Sequence, residues 1–224
     1  MQLFGTPLSH FTRKIRILLG ELGVPFELVR PESLLATTSD AYADHPLMRV
    51  PTLIDGDVRL VESDHIARYV VGKHDPGDRF GVRSEDVGDL NRLAVVNGIM
   101  ANEVVLILAK RGGFGELDSV AYFRKLAAAI DSGLAWLDRT LDPDAPAFDY
   151  RDIATICMWQ HLRHYQLVPG LDRHARIAAR VARFAERPAV ATTAPARQSC
   201  SKSRCWRSGS SSSATTLTAP QPAI

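Results

Sequence analysis

Glu62 and Ser63 stand together where a short strand pattern gives way to a helical one. A serine at such a junction can cap the helix, and the first N–H groups of a helix attract a carboxylate. The carboxylate of the glutamate can accept hydrogen bonds from an ammonium group. An α-amino acid headgroup carries both charges, so this pair is compatible with binding such a headgroup, and the simpler alternative is a plain helix N-cap.

Ser9 occupies a similar junction, between a first strand and a helix that we expect to begin near Phe11. A serine hydroxyl can donate a hydrogen bond to an anion, and a helix N-terminus favours negative charge nearby. Thr6, His10 and Thr12 lie close enough in sequence to compete for the same role. The simpler alternative is that Ser9 only caps its helix.

The first 76 residues alternate strand and helix patterns. Residues 2–6 predict a strand, and apolar residues at steps of three and four between 11 and 22 predict a helix. The stretch "PFELVR" then alternates like a second strand. This order favours a parallel strand pair joined by a crossover helix. Residues 31–48 predict a loop that contains a short helix.

The stretch "RVPTLIDGDVRLVES" predicts a β-hairpin whose turn is Asp55-Gly56. A helix follows in "SDHIARYVVGK". Pro51 opens the hairpin although proline cannot donate a ladder hydrogen bond, and from the sequence alone it only starts a strand. A small mixed sheet with flanking helices fits this first domain, residues 1–76.

The second half shows no strand pattern, and residues 84–196 predict an all-helical domain. Ser84 marks the expected start of a long first helix, and Asp149 with Asp152 marks the cap of the third. Residues 197–224 are rich in serine, threonine and proline and predict a disordered tail. An abnormal C-terminal extension is the alternative for this segment.

Composition narrows the possible functions. The net charge is +2, but the segment after position 196 holds four basic residues and no acid, which leaves 23 basic and 25 acidic residues before it. No basic stripe suggests nucleic-acid binding. The three cysteines give no disulfide framework, and neither a signal peptide nor a membrane-length apolar run is present. These features predict a soluble cytoplasmic protein without membrane or nucleic-acid partners.

Four stretches resemble the glutathione S-transferase family: "SHFTRKIRILLGELGVPFE", "HPLMRVPTLIDGDVRLVESDHIARYV", "FDYRDIATICMW" and "ERPAVATTAP". Together they spread over residues 1–195. The resemblance implies an α/β plus all-α architecture, with a thioredoxin-like N-terminal domain followed by a helical-bundle C-terminal domain. The N-terminal stretches are most similar to bacterial members that carry a serine near the first helix.

The resemblance also implies a glutathione site. It implies a cis Val50-Pro51 bond that leaves Val50 free to pair with the cysteinyl unit of glutathione, as a strand edge pairs with a peptide. Glu62 and Ser63 would hold the γ-glutamyl end. Arg49 would meet the glycyl carboxylate, or it would be an exposed strand-end arginine. These five residues are the predicted glutathione-binding set.

By the same resemblance, Ser9 would stabilise the thiolate of glutathione. Lowering a thiol pKa from about 8.5 by two units requires about 2.7 kcal/mol of preference for the anion. A hydrogen bond to a charged group supplies roughly 1.5–3 kcal/mol, and a helix N-terminus adds about 0.3–1 kcal/mol. One serine and one helix end are therefore sufficient in magnitude.

The predicted activity is glutathione conjugation to small electrophiles, with a role in detoxification, glutathione as co-substrate, no metal, and a homodimeric assembly. Two alternatives share the same site: a non-catalytic glutathione-binding or regulatory protein, and another glutathione-dependent reaction such as isomerisation or dehalogenation. The absence of a cysteine beside the first helix argues against disulfide exchange.

Several other residues are assigned simpler roles. His161 and His164 share a helical face without a third metal ligand and are expected at the surface or an interface. Asp149 and Asp152 resemble the family's helix cap and are expected to be structural. His45 precedes a proline where the family pattern usually has asparagine. Core packing is the expected role of each of Met100, Val104 and Phe114, and the alternative is that they help to line an electrophile pocket between the domains.

Overall fold

The computed structural model describes residues 1–196, so the predicted tail lies outside the described residues. A four-stranded sheet has the order β2-β1-β3-β4. Strands β1 and β2 are parallel, whereas β3 is antiparallel to both β1 and β4. This confirms the predicted crossover pair and the hairpin, although the two turn residues are Gly56 and Asp57 rather than Asp55 and Gly56, because Asp55 pairs with Val58. The strands are β1 (Gln2–Phe4), β2 (Glu27–Val29), β3 (Thr52–Asp55) and β4 (Val58–Val61).

Two helices accompany the sheet, α1 (His10–Leu22) and α2 (Ser63–His74). Helix α1 ends at Gly23, which has a φ of 66° and donates from its N–H to the last turn of the helix. Glycine adopts this left-handed conformation without a side-chain clash, which explains the stop. The predicted loop between β2 and β3 contains only a single 3₁₀ turn, Asp40–Tyr42.

The second half is helical throughout the described residues, as predicted. The predicted start at Ser84 is wrong, because Asp86 is the N-cap of the first long helix and accepts from the N–H of Asp89 at 3.0 Å. Ser84 instead donates its hydroxyl to the Asp89 carboxylate at 2.7 Å. The helices are α3 (Val87–Arg111), α4 (Ala121–Thr140), α5 (Tyr150–Tyr165), α6 (Ala175–Phe184) and α7 (Pro188–Ala191).

The start of α5 confirms the predicted helix cap. The Asp149 carboxylate accepts from the N–H of Asp152 at 2.9 Å, and the Asp152 carboxylate accepts from the N–H of Asp149 at 3.1 Å. Arg180 of α6 donates to both oxygens of Asp152, at 2.7 and 2.6 Å. This reciprocal capping box therefore also ties α6 to the start of α5.

One apolar core runs through both halves, because α1 packs on α2 and also on α5 and α7. Fully buried residues of the sheet, of α1 and of α5 meet in it, among them Leu3, Leu18, Leu53 and Ile153. The first turn of α1 is thereby held between the sheet and the helical half. The boundaries drawn at 76 and 84 stay predictions.

Helix α3 has the length and apolar composition of a membrane span, with a mean hydropathy of 1.6 over its most apolar window. It packs against α4 and α5, and it contributes Val96, Ile99, Met100 and Leu106 to the core. The core helix of a soluble protein shares these properties. The cytoplasmic location stays a prediction.

Candidate functional site

The Val50-Pro51 peptide bond is cis, as the resemblance implied. Strand β3 begins only at Thr52, whose hydroxyl donates to the carbonyl of Tyr42 at 3.2 Å and holds the preceding loop against the strand. Among residues 1–196, the turn and loop hydrogen bonds leave both the N–H and the C=O of Val50 without a partner. A backbone edge of this kind can pair with an extended peptide.

Glu62 and Ser63 lie at the start of α2, one position away from the predicted arrangement. Glu62, not Ser63, is at the N-cap position, and its φ of 71° is rare for a residue with a side chain. Ser63 is the first residue of the helix and is only 1% exposed. Its hydroxyl has no hydrogen-bond partner among the described residues. A buried polar atom without a partner is costly, so this hydroxyl is suited to a ligand.

A buried polar network fixes the first turn of α2 behind Ser63. The Asp64 carboxylate accepts from the Lys14 ammonium at 2.6 Å, from the Asn97 amide at 2.6 Å and from the Tyr150 hydroxyl at 2.8 Å. Burial raises the pKa of Asp64, but the Lys14 charge and these hydrogen bonds outweigh it and lower the pKa overall. The network joins α1, α2, α3 and α5 at the point where the site is built.

Ser9 is the N-cap of α1, and its hydroxyl oxygen accepts from the N–H of Thr12 at 3.3 Å. The backbone N–H of Ser9 in turn donates to the hydroxyl of Thr6 at 3.2 Å. Ser9 is half-buried, and within residues 1–196 no acceptor lies within reach of its own O–H. Capping and donation to an outside anion are therefore compatible at this serine.

The other candidates beside Ser9 are already engaged or buried. Thr12 is fully buried and packs so closely on Gly5 that a Cβ there would lie 2.5 Å from the threonine hydroxyl. Thr6 accepts the Ser9 N–H, and His10 is 1% exposed. Ser9 is therefore the hydroxyl best placed to meet a ligand at this end of α1.

His45 and Arg49 complete the loop before β3. His45 is 3% exposed, and its Nδ1 accepts from the N–H of Leu47 at 3.0 Å, a local turn contact that an asparagine side chain also makes. Burial lowers the pKa of His45, while the nearby Glu62 carboxylate raises it. Arg49 is exposed, so the structure leaves open both roles that the sequence allowed for it.

Three buried ionisable residues form a cluster behind Ser9, and one of them, Glu103, is absent from the sequence predictions. Glu103 of α3 lies 2.8 Å from His161 Nδ1 and 3.7 Å from His10 Nε2 through one carboxylate oxygen. Burial raises the pKa of Glu103, and its other oxygen has no partner among the described residues. The placement of His161 at the surface is wrong, because it is 5% exposed. The sequence feature that could have revealed this cluster is the single acidic residue, Glu103, inside the apolar run "MANEVVLILA".

The same three side chains hold metal-binding atoms within 4.8 Å of one another. The two imidazole rings are stacked, however, with centroids 4.0 Å apart and an angle of 29° between their planes. Stacked rings do not direct two in-plane lone pairs at one ion. His10 Nε2 also lies 3.2 Å from the Met100 carbonyl oxygen. Within this triad Glu103 and His161 are at hydrogen-bond distance, whereas His10 bonds to the backbone of α3.

The buried His10 side chain is expected to make the folding stability of the protein depend on pH. Burial, followed by the charge of His161, lowers the pKa of His10 well below 6.5. Below that value the unfolded chain binds a proton that the folded protein does not, so stability falls with falling pH by at most about 1.4 kcal/mol per pH unit. His10→Gln should make the free energy of unfolding less pH-dependent between about pH 7 and pH 5.

Urea unfolding of wild type, His10→Gln and His74→Gln across that range provides the measurement. His74 is the exposed last residue of α2 and serves as the matched control, for which we expect the wild-type slope. Equal slopes for His10→Gln and wild type would contradict the assignment of acid sensitivity to the triad.

A surface groove of about 550 Å³ lies away from these residues. It contains none of the predicted site residues, and its walls come from the end of β1 and from the loop after β2. The predicted site residues lie instead at the N-termini of α1 and α2 and in the loop before β3. The groove is lined by Phe4, Arg30, Glu32, Ser33, Ala36, Thr38, Asp40 and Ala41.

Comparison with known proteins gives consistent results. Residues 3–78 match the family model described as "Glutathione S-transferase, N-terminal domain". Glutathione S-transferase 4 of Zea mays is 37% identical over 86 residues, which cover 34% of this chain and 35% of that protein. Glutathione S-transferase 3 of Zea mays is 34% identical over 76 residues, with 33% and 34% covered. The match thus spans about a third of the length of these curated relatives.

Solved structures extend the likeness to both halves. A glutathione transferase family member from Pseudomonas fluorescens Pf-5 with bound glutathione has a TM-score of 0.74 at 26% identity, covering 87% of this chain and 98% of its own. A glutathione S-transferase from Methylobacterium radiotolerans in complex with glutathione sulfonate has a TM-score of 0.72 at 25% identity, covering 88% and 97%.

A thioredoxin-like domain followed by an all-helical domain is the arrangement that this chain shares with these solved structures. Residues 3–78 belong to the glutathione S-transferase N-terminal domain family, and the fold of residues 1–196 is similar to that of solved glutathione S-transferases.

Proposed function

We propose that this protein is a serine-type glutathione S-transferase, which ionises the glutathione thiol and transfers the thiolate to small electrophiles. The observation that carries the proposal is the hydroxyl of Ser9, which accepts a cap hydrogen bond and keeps its own proton for donation. A thiolate placed at the start of α1 would accept that proton's hydrogen bond and lie at the positive end of the helix.

Glutathione would be held at three points. The N–H and C=O of Val50 would pair with its cysteinyl unit. Ser63 and the first N–H groups of α2 would bind the α-carboxylate of its γ-glutamyl end, and Glu62 would accept from the ammonium. Arg49 would meet the glycyl carboxylate from the exposed side of the loop. The relatives with bound glutathione and glutathione sulfonate support this choice of ligand.

The unusual backbone of Glu62 supports a binding role for its side chain. A positive φ at a residue other than glycine costs about 1–3 kcal/mol, and residues held in such conformations cluster at functional sites. This conformation leads the chain from β4 into α2 so that Ser63 becomes the first helical residue. It also leaves the Glu62 carboxylate exposed beside the start of the helix.

In the proposed reaction the thiol proton passes to water, and the thiolate sulfur attacks an electrophilic carbon. With an aryl halide, a carbon–sulfur bond forms and the carbon–halogen bond breaks, with the halide leaving with the bonding electron pair. No metal takes part in this scheme. Ser9 contributes by holding the sulfur in its anionic form at neutral pH.

An electrophile panel tests the function. Purified protein should conjugate glutathione to at least one of a set of aryl halides, epoxides, activated alkenes and isothiocyanates, and mass spectrometry should identify the conjugate. Isomerisation and dehalogenation, which use the same bound thiolate, would appear in the panel as other products. Binding of glutathione without turnover of any compound would favour the non-catalytic alternative.

Removing the Ser63 hydroxyl is expected to weaken glutathione binding selectively. Ser63→Ala should weaken glutathione binding about 10- to 150-fold, because a hydrogen bond to a charged group contributes roughly 1.5–3 kcal/mol. The folding stability of the free protein should not fall, since the hydroxyl has no partner in residues 1–196. Calorimetric titration and urea unfolding measure the two quantities.

The control for this change is Ser132→Ala, an exposed serine in the middle of α4, for which affinity and stability should both match wild type. A Ser63→Ala protein that binds glutathione normally, or that loses stability without ligand, would remove Ser63 from the binding set.

The proposal includes a cytoplasmic homodimer with a role in detoxification. Helix α3 carries exposed apolar side chains at Val87, Leu90, Val105 and Leu108, which a second subunit could cover. Light scattering after size-exclusion chromatography measures the assembly.

A further inference from the structure

A tight turn precedes the open backbone edge of the candidate site. The N–H of Met48 donates to the carbonyl of His45 at 2.9 Å and closes a four-residue turn. Its second residue is Pro46, and proline is favoured at that position, just as a short polar side chain is favoured at the first. The turn ends two residues before Val50, so its shape sets how the chain approaches the edge.

The side chain of His45 fastens this turn from the inside. Its Nδ1 accepts from the N–H of Leu47 at 3.0 Å, so the ring is neutral and carries its proton on Nε2. A protonated imidazole has a donor on each nitrogen and cannot accept this hydrogen bond. Because His45 is only 3% exposed, water has little access to replace the lost contact.

The turn lies in a segment that is anchored at both ends. The N–H of His45 and the hydroxyl of Thr52 both donate to the carbonyl of Tyr42, each at 3.2 Å. Between these anchors, Met48 has a φ of 50°, which is uncommon for a residue with a side chain and must be held by the contacts of the turn. Loss of the Nδ1 contact therefore acts on the segment that carries Val50.

Charged groups of three elements surround His45. Burial lowers the pKa of His45 below its ordinary value near 6.5, while Glu62 at the start of α2 raises it and Arg49 lowers it. Asp44, the preceding residue, is paired with Arg59 of β4. Bound glutathione would neutralise Glu62 with its ammonium and Arg49 with its glycyl carboxylate, so these two effects offset each other. The Nδ1 contact therefore decides how protonation affects binding.

We infer that His45 is a positioning residue that couples glutathione binding to pH, because its neutral ring holds the turn that presents Val50 and its protonated ring releases that turn. The inference rests on the proposed function, since glutathione is the ligand that pairs with Val50. The complex needs the neutral ring, so affinity is full at neutral pH and falls as the pH drops through the pKa of His45. Loss of one neutral hydrogen bond corresponds to about a 2- to 12-fold loss of affinity.

S-methylglutathione is the probe for this inference, because it has no thiol to ionise and its other charges stay constant between about pH 7 and pH 5. Calorimetric titration measures its affinity across that range, and circular dichroism checks the fold at each pH. Wild type should lose about 2- to 12-fold in affinity by about pH 5. His45→Asn should match wild type at about pH 7 and keep its affinity at about pH 5, because the asparagine oxygen accepts a turn N–H at both values.

Two further variants serve as controls. His45→Leu removes the acceptor but stays apolar in the buried position, so its affinity should be low at about pH 7 and change little with pH. His74→Asn removes the exposed histidine at the end of α2 and should keep the wild-type profile. All these variants retain the buried His10, so general acid sensitivity is common to them.

Three results would each overturn the inference and leave glutathione binding in place. The first is a wild-type affinity that is the same at both ends of the pH range. The second is an acid loss that persists in His45→Asn. The third is a His45→Leu protein that binds the probe as tightly as wild type at neutral pH.

Titration of the imidazole itself separates this inference from the proposed function. Nitrogen-15 NMR should show the Nε2–H tautomer of His45, whose signal is identified by its absence from His45→Asn. The midpoint of its titration should move to lower pH when S-methylglutathione binds, as linkage requires. A midpoint that binding leaves unchanged overturns the inference alone, whereas a folded protein that binds no probe at any pH overturns the proposed function and the inference with it.

Discussion

Replacing Ser9 with alanine is expected to lower kcat/KM for conjugation about 10- to 150-fold, with a much smaller change in glutathione affinity. The expectation follows from a hydroxyl hydrogen bond to a charged sulfur, which contributes roughly 1.5–3 kcal/mol, at about 1.4 kcal/mol for each factor of ten in rate. Because the interaction strengthens as the thiol ionises, the loss should appear in the reactive anion rather than in binding.

The rate measurement needs a control for the helix cap, since Ser9 also accepts the Thr12 N–H. Ser9→Ala and Ser9→Gly both remove the hydroxyl, but glycine at an N-cap costs only a few tenths of a kcal/mol in stability. The two variants should therefore share the rate loss and differ in stability. Full activity in either variant would show that another group activates the thiol.

Replacing Asp152 with alanine is expected to destabilise the protein by about 3–5 kcal/mol. The change removes half of the capping box of α5 and leaves the buried Arg180 guanidinium without its carboxylate. Domains are commonly stable by only about 5–15 kcal/mol, so much of the total stability is lost. Thermal and urea unfolding of the purified variant measure the effect.

Two companions separate the causes of that loss. Asp149→Ala removes the other half of the cap and should cost about 1–2 kcal/mol. The double variant with Asp152→Ala and Arg180→Met removes the stranded charge and should be more stable than Asp152→Ala alone. A double variant as unstable as the sum of its single changes would show that the buried charge is not the main cause.

Local patterns predicted much of the fold and part of the site. The cap at Asp149 and Asp152 was readable because its signal lies within four residues of chain. The hairpin, with its turn placed one residue early, and the strand–helix junction at Ser9 were readable for the same reason. Each of these features depends on neighbours in sequence, which one sequence displays.

Features that depend on backbone detail or on distant packing were not readable. The positive φ of Glu62 shifts the start of α2 by one residue, and a glutamate in the sequence gives no indication of a positive φ. Ser84 resembled a cap, but Asp86 two residues later accepts the decisive N–H. The triad of Glu103 with two histidines assembles from three helices, and residues on α1, α3 and α5 meet only in the folded protein.

The ionisation of bound glutathione tests the central claim most directly. The ultraviolet absorbance of the thiolate, titrated with pH in the complex, should show that the thiol pKa lies about two units below the free value near 8.5 in wild type. In Ser9→Ala the pKa should return most of the way towards the free value. A wild-type complex whose thiol titrates like free glutathione would contradict the account, as would a folded protein that does not bind glutathione.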